Sequence, residues 1–140
     1  MLLVDTSAWV DYLRGADTAA TRELRELLRN QVSELAVTEP IVLEILAGAK
    51  DERGLRQLEA LTNGLSLLPV SAHRDYHDAA SLFRAARRTG RTVRKLVDCL
   101  IAAVALRTDA TLIHQDRGFD AIAAVAPLKT RRLGAPDRLA

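Results

Sequence analysis

Four carboxylates in this 140-residue chain each interrupt or end an apolar stretch. Asp5 ends Leu2-Leu3-Val4, and Asp116 follows Thr111-Leu112-Ile113-His114 by two residues. Glu44 is the only charge between Ile41 and Ala49, and Asp98 the only charge from Leu96 to Leu106. An ionised carboxylate in apolar surroundings must reach water, meet a cation or take up a proton. No nearby lysine or arginine is an obvious partner for all four. If they converge, a divalent cation is the simplest way to hold them together. Oxygen-only ligation, in a chain with one cysteine and three scattered histidines, favours a hard ion, Mg²⁺ or Mn²⁺, over zinc. Such an ion accepts phosphate oxygens, activates a water and offsets charge building on phosphate. That is phosphodiesterase chemistry, run by one ion or by two.

Each acid also has a plain structural reading. Asp5 can be a helix cap, Glu44 can lie on the solvent edge of its helix, Asp98 can complement a helix dipole and Asp116 can cap a loop. Separate accidents would then have to place four acids at the same end of one sheet.

The elements that must position them follow from local pattern. Residues 2–4 read as a strand that turns at Asp5-Thr6-Ser7 into a helix carrying Trp9, Val10 and Leu13 inward and stopping at Arg14-Gly15. Residues 18–30 form an amphipathic helix with Leu24, Leu27 and Leu28 inward, and 35–38 a second strand. Thr38-Glu39-Pro40 opens a helix that runs to about Lys50, because proline is favoured in a first helical turn. A helix over 52–63, a strand over 65–70 and a long amphipathic helix over 71–89 come next. The apolar segment 96–106 reads as a helix buried on most sides, 111–114 as a fourth strand, 119–125 as a short helix and 128–133 as an edge strand. Strands alternating with helices imply an α/β fold of one domain over 1–140, a three-layer α/β/α sandwich with a mainly parallel sheet. Ligands in such sheets sit beyond the carboxyl ends of the strands where the strand order reverses, and Asp5 and Asp116 are both placed at strand ends.

Composition narrows the classes further. With 49% hydrophobic and 27% charged residues the chain has enough core to fold, which excludes disorder and fibrous structure. Mean hydropathy is +0.01, and no apolar run approaches the roughly 20 residues of a membrane span. The N-terminus lacks a secretory pattern, so a soluble, cytoplasmic protein is expected. Cys99 is the lone cysteine and is expected to pack in the core. Net charge is +2, but seventeen of the twenty basic residues are arginine, which leans towards a nucleic-acid partner. Arg84, Arg87, Arg88, Arg91, Arg94 and Lys95 fall within twelve residues that contain no acid, just before Asp98. Such a run attracts a phosphate backbone, with solvated helix surface as the alternative. Lys129, Arg131 and Arg132 read as ordinary surface, and most of Trp9, Tyr12, Tyr76, Phe83 and Phe119 as core.

The segments Leu3-Val4-Asp5-Thr6-Ser7-Ala8-Trp9, Val42-Leu43-Glu44-Ile45, Leu96-Val97-Asp98-Cys99-Leu100-Ile101-Ala102 and His114-Gln115-Asp116-Arg117-Gly118-Phe119-Asp120 resemble those of the PIN-domain ribonucleases, in the same order. The nearest likeness is to the VapC toxins of bacterial toxin-antitoxin pairs, and it spans residue 1 to about Ala124. The resemblance implies a Mg²⁺- or Mn²⁺-dependent endoribonuclease that cuts structured RNA such as tRNA or ribosomal RNA. It implies that Asp5, Glu44, Asp98 and Asp116 are the metal-binding acids and that Thr6 or Ser7 is the hydroxyl that positions the metal or its water. It also implies a homodimer and a VapB antitoxin that covers the active site. The pattern departs at Gly118, where family members commonly carry another acid, while Asp120 lies on the far side of Phe119 and should point elsewhere.

Catalytic roles are accordingly expected of Asp5, Asp98 and Asp116 as ion ligands and of Glu44 as a further ligand or water-orienting group. Thr6, Ser7, Arg91 and Arg94 are expected on the substrate side. Two rivals remain at this stage. An aspartyl-phosphate transfer domain also places an Asp after its first strand, but Ser7 stands where a phosphatase of that type needs a second Asp. A non-catalytic RNA-binding module is the other.

Overall fold

The computed structural model describes residues 1–134. Its first strand, β1 (Leu2–Val4), runs directly into α1 (Thr6–Leu13), and Asp5 at the junction caps the helix by accepting the Ser7 N–H. Gly15 ends the turn with φ of 72°, a left-handed conformation that glycine adopts without strain. Then come α2 (Ala19–Asn30), a short 3₁₀ turn, β2 (Leu35–Val37), α3 (Glu39–Ala47), α4 (Glu52–Asn63) and β3 (Ser66–Leu67). The second half holds α5 (Ala72–Arg88), α6 (Leu96–Thr108), β4 (Thr111–His114), α7 (Gly118–Ala123) and β5 (Thr130–Arg132).

All strand pairings are parallel, and the sheet order is β3-β2-β1-β4-β5. The chain starts in the centre, walks outward through β2 and β3, then crosses back to add β4 on the other side of β1. This reversal sets the carboxyl ends of β1 and β4 side by side, in the register Val4↔Ile113. The Asp5 N–H extends the ladder by donating to the Ile113 carbonyl at 2.9 Å.

Both faces of the sheet are covered, which is why the inner strands read as unbroken apolar runs rather than alternating ones. Leu3, Val4, Leu35, Ala36, Leu112 and Ile113 have no solvent exposure. α1 packs on α2 and on α3, α3 packs on α4, and α5, α6 and α7 pack on one another, with α1 and α6 both lying against β4. No helix among the described residues is long and apolar enough to cross a membrane.

Several details differ from the expectations. The strand expected over 65–70 shrinks to two residues: after the Leu68 N–H reaches the Val37 carbonyl, Pro69 has no N–H to continue the ladder. The last strand is shorter than expected but does form an edge. Leu13, expected inward, is 40% exposed at the helix end, and Tyr76, assigned to the core, is 60% exposed because its neighbours Asp75 and Ala79 take the buried face of α5. Leu96 is also exposed, whereas Cys99 to Ala105 are buried as expected.

One buried ion pair ties the second half together. Arg107 of α6 donates through Nε and Nη2 to the two carboxylate oxygens of Asp75, each at 2.9 Å, and reaches the Pro69 carbonyl. The Ser71 N–H adds a bond at 2.7 Å. Burial opposes ionisation of Asp75, but the Arg107 guanidinium and the Ser71 amide outweigh it and hold the carboxyl below its usual range. Removing one partner strands the other charge. Arg107→Ala should therefore lower unfolding free energy by about 3–5 kcal/mol in urea titrations, against less than about 1 kcal/mol for Arg22→Ala at the exposed Arg22–Asp17 pair.

Candidate active site

Asp5 sits at the end of β1, Thr6 and Ser7 open α1, Glu44 projects from α3, Asp98 lies in the first turn of α6, and Asp116 follows β4. Asp5 and Asp98 are buried, at 4% and 5% exposure, while Glu44 and Asp116 are half-buried. The Ser7 hydroxyl donates to Asp5 Oδ2 at 2.5 Å and accepts the Gln115 N–H at 3.0 Å, so one side chain couples the acid after β1 to the turn after β4. Thr6 Oγ1 donates to Glu44 Oε1 at 3.0 Å.

The turn carrying Asp116 is held from both sides. Its N–H donates to Nδ1 of the buried His114 at 3.2 Å, and its Oδ1 accepts the Gly118 N–H at 2.8 Å. Burial keeps the His114 pKa below its ordinary value, so the ring is neutral near pH 7 and Nδ1 can accept. His114 also packs on Phe119, with ring centroids 5.1 Å apart.

Gly118 is where Asp98 and Asp116 come together. A Cβ on this residue would lie 3.2 Å from Asp98 Oδ2 and 3.4 Å from Asp116 Oδ1. Both carboxylates line a cavity of about 610 Å³ together with Ser7, Thr92, Arg94, Lys95, Gln115 and Arg117. Glu44 and Thr6 line a second, larger groove of about 940 Å³. Glu44 thus stands on a different wall from Asp98 and Asp116, joined to them through the consecutive residues Asp5, Thr6 and Ser7.

The electrostatics record their proximity. Asp98 is pushed up to about 7, first by burial and then by the negative charges of Asp5 and Asp116, with Glu44 adding to the rise and Lys95 opposing it. The adjacent Cys99 thiol rises to about 11 by burial, so it packs as a neutral thiol and offers no ligand near neutral pH. Among the described residues, no three acidic, imidazole or thiol side chains form a ready-made metal cage. The acids surround adjoining spaces rather than one closed point. The donor chemistry nonetheless fits a hard divalent cation: carboxylate oxygens, two of the four groups buried, and among the described residues no ion pair to any of them.

A family model described as PIN domain matches residues 2–125. The chain belongs to the PIN-domain family. It is 47% identical over 129 residues to the ribonuclease VapC11 of Mycobacterium tuberculosis, covering 92% of this chain and 96% of that one. The DNA-bound VapBC structure from Salmonella typhimurium superposes with a TM-score of 0.75 at 16% identity, over 94% of this chain and 96% of the other. Mycobacterium tuberculosis VapC20, described as a sarcin-ricin loop cleaving toxin, superposes with a TM-score of 0.66 at 18% identity, over 92% and 99%. At these identities the structures establish the fold. Divalent-metal dependence is general among PIN-domain VapC nucleases, and the acidic donor set of this PIN domain is consistent with it.

The basic residues expected on the substrate side divide. Arg94 lines the smaller cavity, whereas Arg91 is exposed outside its lining. Arg87 stacks over Phe83 at 5.6 Å from the ring centroid, so part of the run covers apolar surface. Lys129, Arg131 and Arg132 each pair with an acid, in keeping with ordinary surface, and Asp120 points to Arg132 rather than to Asp116. Residue pattern alone missed Arg117, Gln115 and His114. Their only local signal is their place beside Asp116, and their relevance comes from contacts across the fold.

A carboxyl whose folded pKa exceeds its unfolded value stabilises the fold when protonated, so that contribution is complete below about pH 4 and lost as pH rises through 7. In metal-free protein, the stability of Asp98→Asn relative to the parent should therefore rise by up to about 4 kcal/mol between pH 4 and pH 8. Parallel melts across that range would show a constant difference if Asp98 titrated normally. Gly118→Ala should leave the melting temperature nearly unchanged while weakening Mn²⁺ binding in calorimetry, because its methyl group crowds two carboxylates that need room to turn.

Proposed function

We propose that this PIN-domain chain is a Mg²⁺- or Mn²⁺-dependent endoribonuclease that cuts structured RNA, the toxin of a VapBC-type pair. The observation that carries this reading is the gathering of Asp5, Asp98 and Asp116 at the reversal point of the sheet with, among the described residues, no basic side chain paired with them. In the proposal, Asp5, Asp98 and Asp116 hold the ion, and Glu44, oriented by Thr6, completes its surroundings or holds a water. When bound, the ion supplies an activated water and offsets the charge that builds on phosphate. Ser7 fixes the spacing between Asp5 and the Asp116 turn, and Arg94, with Arg91 further out, draws in the RNA backbone.

Similarity to VapC11 over nearly the whole chain supports ribonuclease chemistry, and the fold shared with VapC20 supports a structured RNA target. The VapBC complex with the same fold supports an antitoxin partner of VapB type. The larger groove adds a physical reason for such a partner. Val10, Leu13, Ile45, Leu58 and Leu61 line it beside Glu44, a surface suited to an apolar peptide segment that would cover the acids.

Purified protein should cleave tRNA or ribosomal RNA in Mg²⁺ or Mn²⁺ and stop on adding EDTA. Asp5→Asn and Asp98→Asn should each reduce the rate to background while the fold persists. Full cleavage by both purified variants would reject the metal-nuclease reading, and absence of Mn²⁺ binding by the parent near neutral pH would favour a non-catalytic RNA-binding module.

A further inference from the structure

The smaller cavity brings together opposite charges that do not neutralise one another. Asp98 and Asp116 share its lining with Arg94, Lys95 and Arg117. Among the described residues none of these three cations forms an ion pair, although Arg22, Arg74, Arg107, Lys129, Arg131 and Arg132 all do. All three are exposed, and the backbone rather than a carboxylate holds them at the cavity wall.

Two anchors do so. Val93, 2% exposed, plugs the segment between α5 and α6 into the core, and the Arg91 N–H closes the other end onto the Ala86 carbonyl at 3.2 Å. Thr92, Arg94 and Lys95 therefore emerge at the cavity from a tethered segment. Arg117 rides on the turn that His114 and Gly118 hold by hydrogen bonds on either side of it. The cations consequently stand exposed beside the acids around a space open to a third group, and their charge favours an anion there.

We propose that Arg94, Lys95 and Arg117 form a phosphate cradle that seats an RNA phosphate neighbouring the one attacked, and that it does so without the metal ion. This rests on the endoribonuclease reading and deepens it by giving the RNA a side of approach. The two guanidinium groups offer forked donors that match phosphate oxygens, Lys95 adds a point charge and Thr92 a hydroxyl. The larger groove also carries cations, Arg14, Lys50 and Arg53, but of the four acids it presents only Glu44, whereas the smaller cavity sets its cations beside both Asp98 and Asp116.

The test is anisotropy of a short fluorescein-labelled single-stranded RNA with the full chain in EDTA, across a KCl series. The Arg94→Ala/Arg117→Ala double variant should bind about tenfold more weakly and flatten the log–log salt slope by about 1.4, two lost contacts at about 0.7 each. The same charge loss on the exposed face of α2, Arg25→Ala/Arg29→Ala, should change affinity less than about twofold, and inorganic pyrophosphate should displace the RNA from the parent. Arg94→Lys/Arg117→Lys, which keeps the charge, should recover most of the binding. Unchanged affinity and slope in the cavity double variant, or an equal loss in the α2 double variant, overturns the cradle. With no metal present, either result leaves the cleavage assay untouched, and a parent that binds RNA without cutting it in Mg²⁺ would count against the nuclease reading alone.

Discussion

Two buried aspartates in this fold meet opposite fates, and the difference organises the molecule. Asp75 is wrapped by the Arg107 guanidinium and the Ser71 amide, and its carboxyl is held below the ordinary range. Asp98, also buried but at the wall of a cavity, faces Asp5 and Asp116 and is pushed up to about 7. The chain can therefore satisfy a buried carboxylate with an arginine, and at Asp98 it has not. Arg94 and Arg117 line the same cavity as Asp98, yet neither pairs with it among the described residues. Mutual repulsion among the acids is thus left standing by the fold, and a divalent cation is the group we propose relieves it.

The site depends on the sheet more than on any single element. Strand reversal sets β1 beside β4, and the Ser7 hydroxyl then bridges the ends of both strands, accepting from Gln115 while donating to Asp5. Asp5 is at once a helix cap and a member of the acidic group, so the plain structural reading and the functional one describe the same hydrogen bond to the Ser7 amide. Gly118 leaves room at this point, since a Cβ there would lie 3.2 Å from Asp98 Oδ2 and 3.4 Å from Asp116 Oδ1.

Much of this was legible in the sequence because the relevant signals are local. Apolar strands ended by Asp5 and Asp116, Pro40 in a first helical turn and a lone acid inside the Leu96–Leu106 segment all act within a few residues of themselves. What escaped the reading is non-local. Arg117 looks like a loop residue until α7 turns it towards a cavity built by α6, and Arg91 looks equivalent to Arg94 until Val93 fixes which of them faces that cavity. Glu44 belongs with the other acids by charge, but α3 delivers it to a neighbouring groove, a separation that spacing along a chain cannot encode. Leu13 and Tyr76 miss the core for a similar reason: periodicity gives a helix its apolar face, while its packing partners decide how far that face extends.

The pairing of β1 with β4 also sets when the site comes into being. Asp5 and its neighbour Ile113 meet in the sheet although most of the chain's described elements lie between them. Closing so long a loop carries an entropic cost that only the finished sheet repays. A polypeptide cut short before residue 111 lacks both β4 and Asp116, so the acidic cluster exists only after that strand has been made and has closed onto β1.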